Sequence, residues 1–134
     1  PQADEKTLEA LIANRYEIMA DYALNMRRAF KAELQALKER RADAGVIQAA
    51  QRWLHRDADK VPDAVAAQLV EARAASPVLD KMVVMREELR QMWLSRSHTR
   101  EQLAVDLQAW CYRAEASGIA ALQEFSLRLR AVRA

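Results

Sequence analysis

The stretch Leu107–Arg130, LQAWCYRAEASGIAALQEFSLRLR, constrains the fold more than any other part of the chain. Apolar residues recur at helical spacing on both sides of one interruption. Leu107, Trp110, Cys111 and Ala114 precede it; Ile119, Leu122, Phe125 and Leu129 follow it. The interruption is Ser117–Gly118, and glycine at a helix end takes the left-handed turn that other residues resist. The segment carries no ligand set and no nucleophile beside a base. It reads as packing: a helix, a hinge and a second helix.

The rest of the chain follows the same grammar. Two glycines and three prolines in 134 residues leave almost nothing with which to turn strands. Ala, Leu, Glu, Arg and Gln, all good helix formers, dominate. The expectation is an all-α single domain over residues 1–134, a bundle of five or six helices with one long N-terminal helix. Such a length buries a real core without disulfides or metals. Pro1 in place of an initiating Met suggests a piece of a larger protein.

The first helix is expected from about Asp4 to about Arg41, capped by Asp4 or Thr7. Ile12, Tyr16, Met19, Ala23, Met26, Phe30 and Leu37 form its seam, with Glu33 as the one gap. At 1.5 Å per residue it would be roughly 55 Å long. Residues 42–45 break it. A short helix over 46–55 presents Ile47, Ala50 and Leu54, with Trp53 beside them. Pro62 suits the first turn of a helix over 62–75, whose inward residues are Val65, Leu69 and Ala72. Ser76 as N-cap and Pro77 at the first helical position start the next, which reaches about Ser95. Its seam is Val78, Met82, Met85, Leu89 and Met92. Thr99 with Gln102 makes a capping box for the fifth helix. The sixth covers 119–132, with Glu124–Arg128 as an outer i,i+4 pair.

Chemistry-bearing residues are few. His55 and His98 sit at expected helix ends, and neither has a second ligand at i+3 or i+4, so the Glu-x-x-His pairs of a di-iron bundle are missing. Cys111 lies on an apolar helix face and reads as a buried structural thiol. A single cysteine excludes an internal disulfide and fits a reducing compartment. Glu87 and Glu88 are adjacent and point to different faces. The methionines read as core filling, and Trp53, Trp93 and Trp110 as anchors of the core edges. No catalytic, cofactor-binding or metal-ligating residue is expected in this segment. No apolar run approaches the roughly 20 residues of a membrane span.

Two surfaces stand out. Residues 27–60 carry nine Lys or Arg against five acids. Matching to the helix dipole accounts for this; a contact surface for phosphate or lipid headgroups is the alternative. Arg27, Arg28 and Lys31, with the tail residues Arg128, Arg130 and Arg133, are the candidate basic contacts. Tyr16, Met19, Tyr22, Met26 and Phe30 give the first helix more apolar surface than its early turns can hide. They are the candidate interaction surface, for a dimer through this helix or for the remainder of a parent protein.

Four segments together resemble a known family: TLEALIANRYEIMADYA (Thr7–Ala23), WLHRDADKVP (Trp53–Pro62), MVVMREELRQMW (Met82–Trp93) and Leu107–Arg130. They resemble the soluble C-terminal extension of bacterial membrane-bound acyl-CoA desaturases. That resemblance implies a non-catalytic docking or regulatory domain of a lipid oxidoreductase, a di-iron centre elsewhere in the parent, and a soluble segment at the cytoplasmic face near a membrane surface. No specific nucleic acid is expected on that reading. A second resemblance competes. Trp53–Leu54, Met85–Arg90 and Ala114–Phe125 are similar to a helical region of DDE-type insertion-sequence transposases, which would make this an accessory piece that contacts DNA or a partner subunit. The RYEIMADYA entry helix favours the desaturase.

Overall fold

A computed structural model describes residues 10–11, 13–94 and 99–131. Among these residues there are six α-helices and no strand. They are α1 (Arg15–Glu39), α2 (Ala44–Trp53), α3 (Ala66–Ala75), α4 (Pro77–Leu94), α5 (Arg100–Ala116) and α6 (Ala120–Arg130). Two 3-10 turns, Ala58–Lys60 and Asp63–Val65, separate α2 from α3. The chain divides into two compact units. One comprises the described residues up to Met26 and those from Met85 onward; the other comprises Arg27–Val84. Helices α1 and α4 each contribute residues to both.

The long first helix is present, but its buried face is not the expected one. Leu11, Ile18, Tyr22, Met26 and Leu37 are buried. Tyr16 is 76% exposed, Ala23 is exposed and Met19 half-buried. The expected seam stepped at the 3.5-residue period of a coiled coil. Ile18 and Met19 lie about 100° apart around the helix, as do Tyr22 and Ala23, and the more buried residue of each pair is the first. The observed face steps mainly by fours. Ile12, Asp4 and Thr7 lie outside the described residues.

In the first unit Tyr22, Trp110 and Phe125 form a closed aromatic triangle. Their centroids lie 6.3, 5.2 and 5.8 Å apart, with every pair edge-to-face. Trp110 is fully buried and its indole N–H donates to the Met85 carbonyl at 2.8 Å. This tryptophan is the centre of the core, not its edge. Leu89, Leu107, Ala114, Leu122 and Leu129 are also buried in this unit. Gly118 ends α5 with φ 76°, and α6 begins two residues later.

In the second unit α2 packs on α3, with Val46, Ala49 and Ala50 buried on one and Leu69 and Ala72 on the other. Asp43 caps α2 by accepting from the Val46 N–H at 3.1 Å. Helix α1 ends at Glu39, close to the expected Arg41, and Arg41 makes the turn; Gly45, expected in the break, lies inside α2. Arg41 takes φ 61°. Its N–H donates to the Lys38 carbonyl, and the Ala42 N–H donates to the Leu37 carbonyl, at 3.1 and 3.0 Å. That pair of bonds is a Schellman cap.

Ser76 starts α4 as expected: its hydroxyl accepts from the Leu79 N–H at 3.2 Å. Thr99 likewise caps α5, accepting from the Gln102 N–H at 3.1 Å. The Gln102 side chain, however, donates to Asp106 at 2.8 Å. Pro62 does not open α3. It is extended, with ψ 142°, and leads into the 3-10 turn, so α3 starts at Ala66. Arg128 reaches Asn25 Oδ1 at 3.3 Å instead of making the helix-surface pair with Glu124.

Candidate functional site

The second half of α1 turns Met26 and Leu37 inward. At 100° per residue, Arg27, Lys31 and Lys38 then fall in one stripe about a third of a turn round from that buried face, with Arg28 on the far side. All four are exposed. The acids of this stretch are already engaged. Glu33 accepts a 2.7 Å bond from Ser76, Asp43 caps α2, and Glu39 accepts from Gln35 at 3.4 Å. Among the described residues, Arg27, Arg28, Lys31, Lys38, Arg41, Arg52 and Arg56 enter no ion pair. Their charge is therefore offered to solvent or to a ligand.

A ring contact ties this helix to the next basic cluster. Phe30, half-buried, meets His55 edge-to-face at 6.2 Å. Beside His55, the guanidinium groups of Arg52 and Arg56 each lie 5.2 Å from the Trp53 ring centroid. The contact joins α1 and the Arg-Trp-Leu-His-Arg corner within one unit, a juxtaposition across 25 residues that helical periodicity does not encode. Arg52 and Arg56 carried no role in the sequence reading; their i−1 and i+3 placement about Trp53 is the signal that could have found them.

The expected C-terminal cations behave differently. Arg130 is bound through Nε to Glu115 at 2.6 Å, and its guanidinium lies 4.8 Å over the Tyr112 ring. The Glu115 hydrogen bond raises its pKa further. The same carboxylate oxygen accepts from the buried Ser126 hydroxyl at 2.5 Å. Arg130 is thus a structural cation. Arg128 is exposed and bonded to Asn25, and Arg133 lies outside the described residues. These residues belong to the first unit; Arg27, Arg28 and Lys31 belong to the second.

The five apolar residues proposed for interaction do not form one surface. Tyr22 and Met26, at 2% and 5% exposure, are core. Burial drives the Tyr22 hydroxyl pKa far above its usual value, opposed by Arg86. Met19 and Phe30 are half-buried. Tyr16 alone is well exposed, with the Arg15 guanidinium 4.8 Å from its ring centroid. Cys111 is buried, and burial raises its thiol pKa, outweighing the Ser126 hydrogen bond and Arg130 that lower it. Glu88 pairs with Arg113 at 2.6 Å and Glu87 with Arg90 at 3.1 Å, so the two adjacent acids serve separate faces. His98 lies outside the described residues.

Among the described residues no group of three His, Cys, Asp or Glu could hold a metal ion. No helix of these residues is long and apolar enough to cross a membrane.

A family model described as transposase, of the ISL3 DDE group, matches residues 10–134. Comparisons with curated proteins and with solved structures give no match. The family match overturns the resemblance to desaturase extensions, because it takes in nearly all the segments on which that resemblance rests. A regulatory role in lipid oxidation falls with it, and the di-iron parent has no other support. The segments Trp-Leu, Met-Arg-Glu-Glu-Leu-Arg and Ala-Glu-Ala-Ser-Gly-Ile, which resemble the transposases, all lie within the match. Amphipathic helices reuse the same few residues, so short stretches match several families at once, whereas a match over 10–134 integrates all of them.

Proposed function

This chain belongs to the ISL3 family of DDE transposases, and on that footing we propose that its Arg27–Val84 unit holds the phosphate backbone of duplex DNA. It does so as an accessory helical region. The observation that carries the reading is the Phe30–His55 contact. It sets the Arg27, Lys31 and Lys38 stripe and the Arg52–Trp53–Arg56 corner in one unit whose nearby acids are engaged within the fold. Cations of this kind fix position on a duplex and read no sequence. Nonspecific affinity of about 10⁻⁴–10⁻⁶ M at physiological salt follows.

The test is fluorescence anisotropy of a labelled mixed-sequence duplex over a salt series. Each phosphate contact contributes about −0.9 to the slope of log K against log salt. Replacing Arg27, Lys31 and Lys38 by Gln should make that slope shallower by about 3 units. An Arg128→Gln chain should bind as the parent does. Salt-independent binding, or no binding at low salt, would sink the reading.

A second reading, contact with another subunit, has one observation in its favour. Val105 and Tyr112, seven residues apart on one face of α5, are both more than half exposed. Sedimentation equilibrium with a Val105→Glu variant tests it: unchanged mass in both chains would rule it out.

A further inference from the structure

Arg41 is the only non-glycine residue with positive φ among the described residues. It occupies the position in a Schellman cap that glycine normally takes, because a Cβ there crowds the following carbonyl. The usual benefit of a cation at a helix C-terminus is already supplied by Lys38 in the last turn and by Arg40 next to it. Arg41 adds nothing to the core: its side chain is exposed and enters no ion pair among the described residues. A strained position filled by a long cation, where glycine would be easier, is where a functional demand shows against a stability demand.

We propose that Arg41 is a phosphate-contacting residue, held just past the C-terminus of α1 at the expense of an unstrained cap. The inference rests on the reading of the Arg27–Val84 unit as a DNA-backbone surface. It adds a named residue whose backbone and side chain pull in opposite directions.

That opposition supplies the test. The full chain and its Arg41→Gly, Arg41→Ala and Arg41→Lys variants are melted, then titrated with a labelled mixed-sequence duplex over a salt series. Arg41→Gly should melt higher by about 2–4 °C. It should bind about three- to tenfold more weakly at physiological salt, with the slope shallower by about 1. Arg41→Ala should lose the same binding without the gain in melting temperature, and Arg41→Lys should keep most of the slope. A glycine variant that binds with parental affinity and slope overturns the proposal, as does one that melts lower. If the parent binds but only the Arg27, Lys31 and Lys38 replacements weaken it, the Arg41 assignment fails alone. If the parent shows no salt-dependent binding, both fail.

Discussion

The Ser76 hydroxyl, fully buried, donates a 2.7 Å hydrogen bond to the Glu33 carboxylate 43 residues earlier. The same oxygen accepts from the Leu79 N–H, so one side chain caps α4 and ties α1 to it. The one gap in the apolar seam of α1 is therefore a polar tie.

Ser76→Ala removes both bonds and leaves a half-buried carboxylate short of a donor. A lost N-cap costs about 1 kcal/mol and a hydrogen bond to a charged group about 1.5–3 kcal/mol. Urea unfolding should show a loss of about 2–3 kcal/mol, with Glu33→Gln losing less because it keeps an acceptor. Equal losses for the two variants would contradict the assignment.

Gly118→Ala should cost about 1 kcal/mol. A Cβ there meets nothing within 4 Å, so the penalty is purely that of φ 76°. Thermal melting decides: an unchanged or higher midpoint would mean that α5 and α6 do not depend on the left-handed turn.

Glu115 titrates below the ordinary glutamate value of 4.5. The Ser126 hydroxyl is the main cause, and Arg130 adds to it against the opposing effect of burial. A carboxylate with a depressed folded pKa stabilises the fold above its unfolded pKa, and that stability is lost as pH falls through the folded value. Ser126→Ala should therefore destabilise most near neutrality, and the gap to the parent should narrow below pH 4.5. Melting curves at neutral and acid pH compare the two; a gap independent of pH would show that Ser126 acts only through packing.

Tyr22→Ala should cost about 3–5 kcal/mol by opening the aromatic triangle, whereas Tyr16→Ala should stay within about 0.5 kcal/mol. Chemical denaturation of both variants tests which face of α1 is core. Comparable costs would restore the seam through Tyr16.

What the sequence shows follows from the range of each interaction. The caps at Ser76 and Thr99 act over three residues, and both are legible. Gly118 is legible because one residue type dominates its conformation. The all-α architecture is legible from periodicity and the scarcity of breakers. The face of α1 is not: Ile18 and Met19 are both apolar and lie about 100° apart around the helix, so what packs on α1 decides which of them is buried. Ser76–Glu33, Ser126–Glu115 and Phe30–His55 join distant turns, and no local pattern announces them. The left-handed turn at Arg41 is invisible for the opposite reason: the end of α1 is expected near there, but it is made by a residue with no propensity for positive φ. The candidate site suffers most, because a basic residue reads identically whether it is bound, like Arg130, or free of ion pairs, like Lys31.

The Trp110–Met85 bond bears on how α5 can lie against α4. Two helices in contact through aliphatic side chains alone can slip past each other by a turn, about 5.4 Å, and find a second arrangement of similar quality. An indole N–H is a single donor at a fixed place, and burial makes its loss expensive. Slippage would strand it among hydrocarbon, so the pair has one register, and Trp110 works as an indexing pin. A helix so indexed presents its outer residues, Val105 and Tyr112 among them, at a fixed height along α4.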